Sequence, residues 1–311
     1  MAVLVAVLLA FVGFGVWVDR SLHRDFVLAD YPGRPARGHG TTWLLIGSDS
    51  RGDLSPQQQS EFATGGDTGN GRSDTIMLVH VPSLTSDVAP TLVSIPRDSQ
   101  VTVPGNGENK INAAFFLGGP QLLVQTVEES TGVRIDHYAQ IGFAGFADVV
   151  DAVGDVTMCP TEPISDPLAG IDLPSGCQKL NGRNALGYVR TRATPRADLD
   201  RMINQREFLS ALVHRTASPA VWLNPFRWLS LKTSVTNAVI VDGGAHVWDL
   251  ARLAWALHGS PVTTTVPIGE LTVTGLGDVV EWNSDAAARL FAAMSADQPV
   301  PADVLQSQPG G

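Results

Sequence analysis

The pattern of apolar and polar positions divides the chain into an opening apolar run, a mixed stretch and a long body of alternating short elements. Residues 1–18, MAVLVAVLLAFVGFGVWV, are unbroken by charge and end at Asp19-Arg20. About 18 apolar residues reach the lower limit for spanning a bilayer, so the run predicts a transmembrane segment. Trp17 sits at the expected interface and no small-x-small cleavage site follows, which favours an uncleaved anchor over a secretory signal. Arg20 and Arg24 follow the run instead of preceding it, so a basic cytoplasmic tail ahead of Met1 is expected. Residues 19–40 mix charge with Pro32, Gly33, Pro35, Gly38 and Gly40 and read as a linker.

Beyond it, residues 42–47 are a strand-length apolar run closed by Gly47, with further strands predicted at 76–81, 91–95, 262–267 and 279–282. Helical spacing predicts helices at 119–131, stopped by Gly132, at 142–153, and at 181–189 with Asn181 as N-cap. A stronger helix begins at Asp200, with Met202, Phe208, Leu209, Leu212 and Val213 on its apolar side and Arg201 and Gln205 sharing another face. Two more span 225–237 and 245–258, and a last one is expected to be capped by Ser284. Residues 298–311 are polar with Pro and Gly and are expected to be disordered. The reading is one α/β domain over 41–297 behind the 1–18 anchor.

Composition changes the picture at one place. The chain has 311 residues, 21 Lys and Arg against 31 Asp and Glu, and a net charge of -10. That balance argues against nucleic acid, whose backbone is held by a broad basic face. Yet five arginines fall between Tyr188 and Arg206, namely Arg190, Arg192, Arg196, Arg201 and Arg206. A planar fork of donors suits phosphate or carboxylate, so this stretch predicts an anion site. Asp49 and Asp74 flank a glycine-rich loop at two strand ends. Such carboxylates either hold Mg²⁺ against a phosphorylated ligand or cap turns. Arg97, Asp98, Lys110 and Asn112 add polar groups that would equally suit a solvated surface. No His pair has metalloprotease spacing, no Gly-x-Ser-x-Gly elbow occurs, and no Walker-type phosphate loop is present. Cys159 and Cys177 are either free buried thiols or, in an oxidising compartment, a disulfide.

Taken together, several segments resemble the LytR-CpsA-Psr family in order and spacing. They are Leu44 to Arg51, Arg72 to Leu78, Ser94 to Ser99, Lys110 to Ala114, Asp151 to Gly154, Leu180 to Arg192, and Asp200-Arg201 with Gln205-Arg206. The cysteine pair and the Arg- and Ala-rich composition look like actinobacterial members.

The resemblance implies an α/β/α-like sandwich with a central mixed sheet and a single-pass membrane protein whose one domain faces outward. It implies a monomeric phosphotransferase that moves a glycopolymer, with arabinogalactan favoured, from a polyprenyl-pyrophosphate carrier onto peptidoglycan. A non-catalytic lipid-binding regulator, or pyrophosphate hydrolysis at the same site, are the alternatives. Carried over residue by residue, Asp49 and Asp74 match the Mg²⁺-linked acids. Arg97, Arg190, Arg192, Arg201 and Gln205 match the pyrophosphate contacts, with Lys110 as an addition. Arg97, Arg190 and Arg192 are expected to act in the chemistry. Asp98 is either the general base or an arginine-orienting partner. Arg72 is left without a role and Arg196 is placed outside the pocket. Helices 119–131 and 142–153 are expected to wall a lipid tunnel, and the outward location makes a Cys159–Cys177 disulfide the expectation.

Overall fold

In the computed structural model, residues 2–49, 54–64, 73–194, 198–222, 224–259 and 261–306 are described. Seven strands form one sheet in the order His23–Asp25, Val239–Asp242, His137–Gly142, Thr41–Ser48, Ser73–Val81, Thr91–Ile95, Val262–Thr265. The sheet is mixed. Thr41–Ser48 pairs antiparallel with Ser73–Val81 and parallel with His137–Gly142, and both edge strands are parallel to their neighbours.

Side chains alternate across a strand, and that period of two builds two cores. Leu44, Ile46, Ile76 and Leu78 face one way and pack against Leu123, Val127, Leu290 and Phe291. Those partners lie on helices Ile111–Thr131 and Ser284–Ser295. Trp43, Met77, Val79 and Leu92 face the other way, against Val213, Leu253 and Leu257 of helices Asp198–Thr216 and Val247–His258. The result is the expected helix-sheet-helix sandwich. A third core, with Val150, Val156, Ile171, Leu180, Tyr188 and Phe208, gathers two small hairpins and the helix Gly182–Arg190 at one side.

Several expectations need correction. Residues 19–40 do not form a linker: His23–Asp25 is an edge strand, Val27 is buried, and the Arg34 guanidinium is paired with the buried Glu128. Turn-forming residues around Val27 and Arg34 hid those anchoring side chains from a composition reading. Within the segment expected to be disordered, residues 302–306 form a short helix, Ala302–Gln306, whose Val304 is fully buried. The final long helix is capped by Asn283, not Ser284; the Asn283 side chain accepts from the Ala286 amide at 3.1 Å. The helix predicted at 119–131 begins at Ile111 and is kinked at Gly118 and Gly119, just before Pro120. The helix Ala2–Ser21 covers the opening apolar run. Among the described residues, no helix is long and apolar enough to cross a membrane.

Cys159 and Cys177 form a disulfide, 18 residues apart in sequence. A loop of this size removes enough entropy from the unfolded chain to be worth about 3 kcal/mol. Reductant is expected to lower the denaturation midpoint accordingly. The Cys159→Ala/Cys177→Ala variant should show the same loss and no further response to reductant.

Candidate functional site

The charged residues gather where strand ends meet the long helix. Asp74 is the second residue of Ser73–Val81, and Arg97 lies just beyond the end of Thr91–Ile95. Antiparallel pairing brings these neighbouring strand ends together. Arg97 donates through Nη1 to Asp74 Oδ1 at 2.6 Å and through Nε to Asp98 Oδ2 at 3.2 Å. Lys110 Nζ holds the other Asp98 oxygen at 3.0 Å. Burial alone would raise the Asp98 carboxyl, but Lys110 and Arg97 together hold it below the usual carboxylate range. A carboxylate gripped on both oxygens by cations is a weak proton acceptor, so the geometry favours the orienting role for Asp98.

Asp49 follows Ser48, whose strand partner is Ser73, so Asp49 and Asp74 sit at adjacent strand ends across a local irregularity in register. The glycine-rich segment between them lies mostly outside the described residues, and so do Arg51, Arg72 and Arg196.

The segment 180–192 reads clearly in three dimensions. Asn181 caps the helix Gly182–Arg190 by accepting from the Asn184 amide, and Asp151 Oδ1 accepts from the Gly182 amide at 2.7 Å. A Cβ on Gly182 would come within 2.4 Å of the Ala147 carbonyl oxygen, and one on Gly187 within 2.1 Å of Ile171 Cγ2. Both glycines let the helix seat against its neighbours and fix where its last residue, Arg190, emerges. The Arg190 side chain lies over the Phe143 ring at 4.9 Å and donates to the Phe62 carbonyl at 2.8 Å. Arg190 is the last residue of the helix and Arg192 lies two residues beyond it, and both line the same cavity.

One residue that sequence reading missed holds this corner. Asp166 Oδ2 accepts from the Thr191 hydroxyl at 2.7 Å and the Arg192 amide at 3.3 Å, while Oδ1 accepts from the Leu168 and Ala169 amides. Burial pushes its carboxyl up, but these four donors outweigh it and leave it below its ordinary value. Its only sequence signal is an Asp among turn residues, which is common to many loops. A depressed folded value means that the stabilisation is present above the unfolded value of about 3.9 and is lost as pH falls through the folded one. Asp166→Ala is expected to cost about 2 kcal/mol at pH 7, the worth of hydrogen bonds to a charged group. The gap from wild type should shrink below about pH 4, as read from denaturation midpoints at both pH values.

Arg201 and Gln205, one turn apart on Asp198–Thr216, form the opposite wall. Arg201 is only 5% exposed, and Gln205 Nε2 donates to the Val189 carbonyl at 3.1 Å. Arg206 points elsewhere and ties the helix to the edge strand through Thr264 and Thr265.

Two cavities meet at this cluster. The larger, about 480 Å³, combines apolar walls that include Leu45, Met77, Phe146, Phe208 and Leu212 with Asp74, Arg190, Arg192, Arg201 and Gln205. Helix Phe143–Val153 contributes Phe143 and Phe146, as expected. Helix Ile111–Thr131 contributes nothing to it, because it covers the other face of the sheet, with Leu123 and Val127 in that core. The smaller, about 380 Å³, is lined by Arg97 and Asp98 and shares Asp74, Thr75, Arg201 and Gln205 with the first. Lys110 lines neither and acts through Asp98.

A wall of arginines and carboxylates at one end of a mixed sheet, beside a largely apolar cavity, is the arrangement the fold builds. The LytR_cpsA_psr family profile matches residues 32–280, and the chain belongs to that family. Over 279 residues it is 52% identical to "Probable cell wall biosynthesis protein LcpB" of Corynebacterium glutamicum, covering 90% of this chain and 66% of that protein. It is 36% identical over 183 residues to "Polyisoprenyl-teichoic acid--peptidoglycan teichoic acid transferase TagU" of Oceanobacillus iheyensis, covering 56% of this chain and 51% of the relative. The chain thus spans less than two thirds of either relative. The fold matches that of the "LytR-Csp2A-Psr enzyme from Actinomyces oris" with a TM-score of 0.67 at 22% identity, covering 88% of this chain and 96% of that one.

Proposed function

We propose that the protein is a membrane-anchored, outward-facing phosphotransferase of cell-wall assembly. It takes a glycopolymer from a polyprenyl-diphosphate carrier and joins it to a peptidoglycan hydroxyl, and an arabinogalactan-type polymer is the favoured cargo. The observation that carries this reading is the junction of a deep apolar cavity with Arg190, Arg192 and Arg201, which suits an isoprenoid tail ending in a diphosphate. The transferase named among its relatives supports the same reaction class.

In the reaction, the acceptor oxygen bonds to the phosphorus that carries the glycan. The phosphoanhydride bond breaks, and its electron pair leaves on polyprenyl phosphate, which also takes up the hydroxyl proton. The product is a phosphodiester. Charge building on the non-bridging and departing oxygens is met by guanidinium groups already in place, where little water competes. Asp98 holds Arg97 from one side and Asp74 from another, so the fork is aimed before substrate arrives. Asp49 and Asp74, two hard carboxylates at adjacent strand ends, are the residues that would hold Mg²⁺. When bound, the ion supplies further neutralisation of diphosphate charge.

Mass analysis of lipid extracted from the purified protein tests the donor assignment. An isoprenoid phosphate or diphosphate is expected from wild type and should be depleted in Arg201→Ala. Absence of any isoprenoid, or equal retention by both proteins, would contradict it.

A further inference from the structure

A second cavity adjoins the first at the charged cluster. Its floor is the shared cluster of Asp74, Thr75, Arg201 and Gln205, and its outer wall is the hairpin of Ile268–Thr274 and Gly277–Trp282. That hairpin belongs to a sheet of its own, yet its base is fastened beside the arginine cluster. The Val280 amide donates to the Asp98 carbonyl at 3.0 Å, and Trp282 Nε1 donates to Ser99 Oγ at 2.8 Å.

The hairpin lines the cavity from both faces, with Thr272 and Val279 on one of them. Leu271 pairs with Val280 and Val273 with Asp278, so these four side chains share one face, and all four line the cavity. Leu271 and Val273 are 67% and 80% exposed, an apolar platform reachable from solvent. Its one charge is a carboxylate, Asp278, which accepts from hydroxyls and repels anions. An apolar shelf with a single acceptor at its end suits a neutral saccharide ring, whose axial C–H face is apolar and whose rim carries hydroxyl donors.

The direction of approach matters as much as the chemistry. In phosphoryl transfer the attacking and departing oxygens lie roughly in line with phosphorus between them. With the tail in the first cavity, the departing lipid phosphate lies on that side of the shared cluster. The nucleophile then has to arrive from the other side, which is where the second cavity lies.

We propose that the second cavity is the acceptor subsite and that it takes an uncharged N-acetylglucosamine unit of the peptidoglycan glycan, seated on Leu271, Val273 and Val280 with Asp278 on its hydroxyls. This rests on the donor reading given above, because that reading sets which side the leaving group occupies.

The test uses a neutral β-1,4-linked tetrasaccharide of N-acetylglucosamine, with binding followed by protein-detected NMR and lipid retention measured on the same preparations. Wild type is expected to bind it saturably. Leu271→Ala/Val273→Ala, at two exposed positions, should weaken binding at least tenfold, and Asp278→Ala roughly threefold, with isoprenoid retention unchanged in both. No saccharide binding by wild type, equal binding by wild type and the double variant, or a parallel loss of isoprenoid would overturn the subsite. Saccharide binding that depends on the platform in a protein holding no isoprenoid would support the subsite while removing the donor assignment.

Discussion

Arg201→Ala is expected to lower transfer by about 10²–10³-fold, the range seen when one preorganised donor to a charged transition state is removed. Three features single this residue out. It is 5% exposed, it lies in the wall shared by both cavities, and its helix is tied at Gln205 to the Val189 carbonyl and at Arg206 to the edge strand. A guanidinium aimed into a water-poor junction loses little freedom when it meets a diphosphate. Arg201→Lys keeps the charge but loses the fork, and it should recover no more than about a tenth of wild-type rate, given the difference between a point charge and a bidentate donor. The checking measurement is initial rate of phosphodiester formation against donor concentration. A fall in kcat without a matching change in the far-ultraviolet spectrum locates the loss at the reacting phosphate.

The largest effect on stability is expected away from the site, at Glu128. This carboxylate is fully buried and accepts from Arg34 Nε at 2.9 Å, from Arg34 Nη2 at 3.0 Å and from the Ile135 amide at 2.8 Å. Arg34 also donates to the Ile135 carbonyl, so one ion pair binds residues 26–35 to the helix Ile111–Thr131 and to the turn after it. Removing Glu128 strips the buried Arg34 guanidinium of its buried carboxylate and leaves it paired with the exposed Asp30. Glu128→Ala is expected to cost about 3–5 kcal/mol, or roughly 10 °C in Tm for a domain of this size. Burying two ions also costs desolvation, so Arg34→Met/Glu128→Leu should regain most of that loss. Thermal unfolding of the three proteins checks both statements. A double variant no more stable than Glu128→Ala would mean that packing, not charge, dominates there.

How much of this was legible in sequence depended on the kind of signal. Apolar runs within Thr41–Ser48 and Ser73–Val81 marked central strands, because a strand between two helical layers must bury both faces. The strand His137–Gly142 was not foreseen: its six residues run straight into the helix Phe143–Val153 with no turn residue but Gly142 itself. His23–Asp25 and Val239–Asp242 were too short to show a period, and they exist because they pair with each other at the sheet edge.

At the site, the ordered motifs singled out Asp74, Arg97, Asp98 and Lys110, and their linkage into one chain of ion pairs came only with the fold. They also placed Arg190, Arg192, Arg201 and Gln205 around one cavity. The supports were invisible. Asp166 ties its own turn, through the Leu168 and Ala169 amides, to Thr191 and Arg192 much further along the chain, and the 268–282 hairpin gains its position from a backbone bond to Asp98 and a bond to Ser99. Long-range hydrogen bonds leave no local pattern. The glycines of the 180–192 segment did leave one, but its meaning as close helix packing needed the neighbours Ala147 and Ile171.

The central claim is transfer of a glycan-bearing phosphate from a lipid diphosphate to peptidoglycan. Its most direct measurement uses a polyprenyl-diphosphate glycan labelled in the sugar-linked phosphorus, incubated with the protein, Mg²⁺ and peptidoglycan fragments. The account predicts label in a phosphodiester on the fragments, polyprenyl monophosphate as the co-product, and loss of both in Arg201→Ala. Label released only as a free sugar phosphate, or retained intact on the lipid with every acceptor supplied, would contradict it.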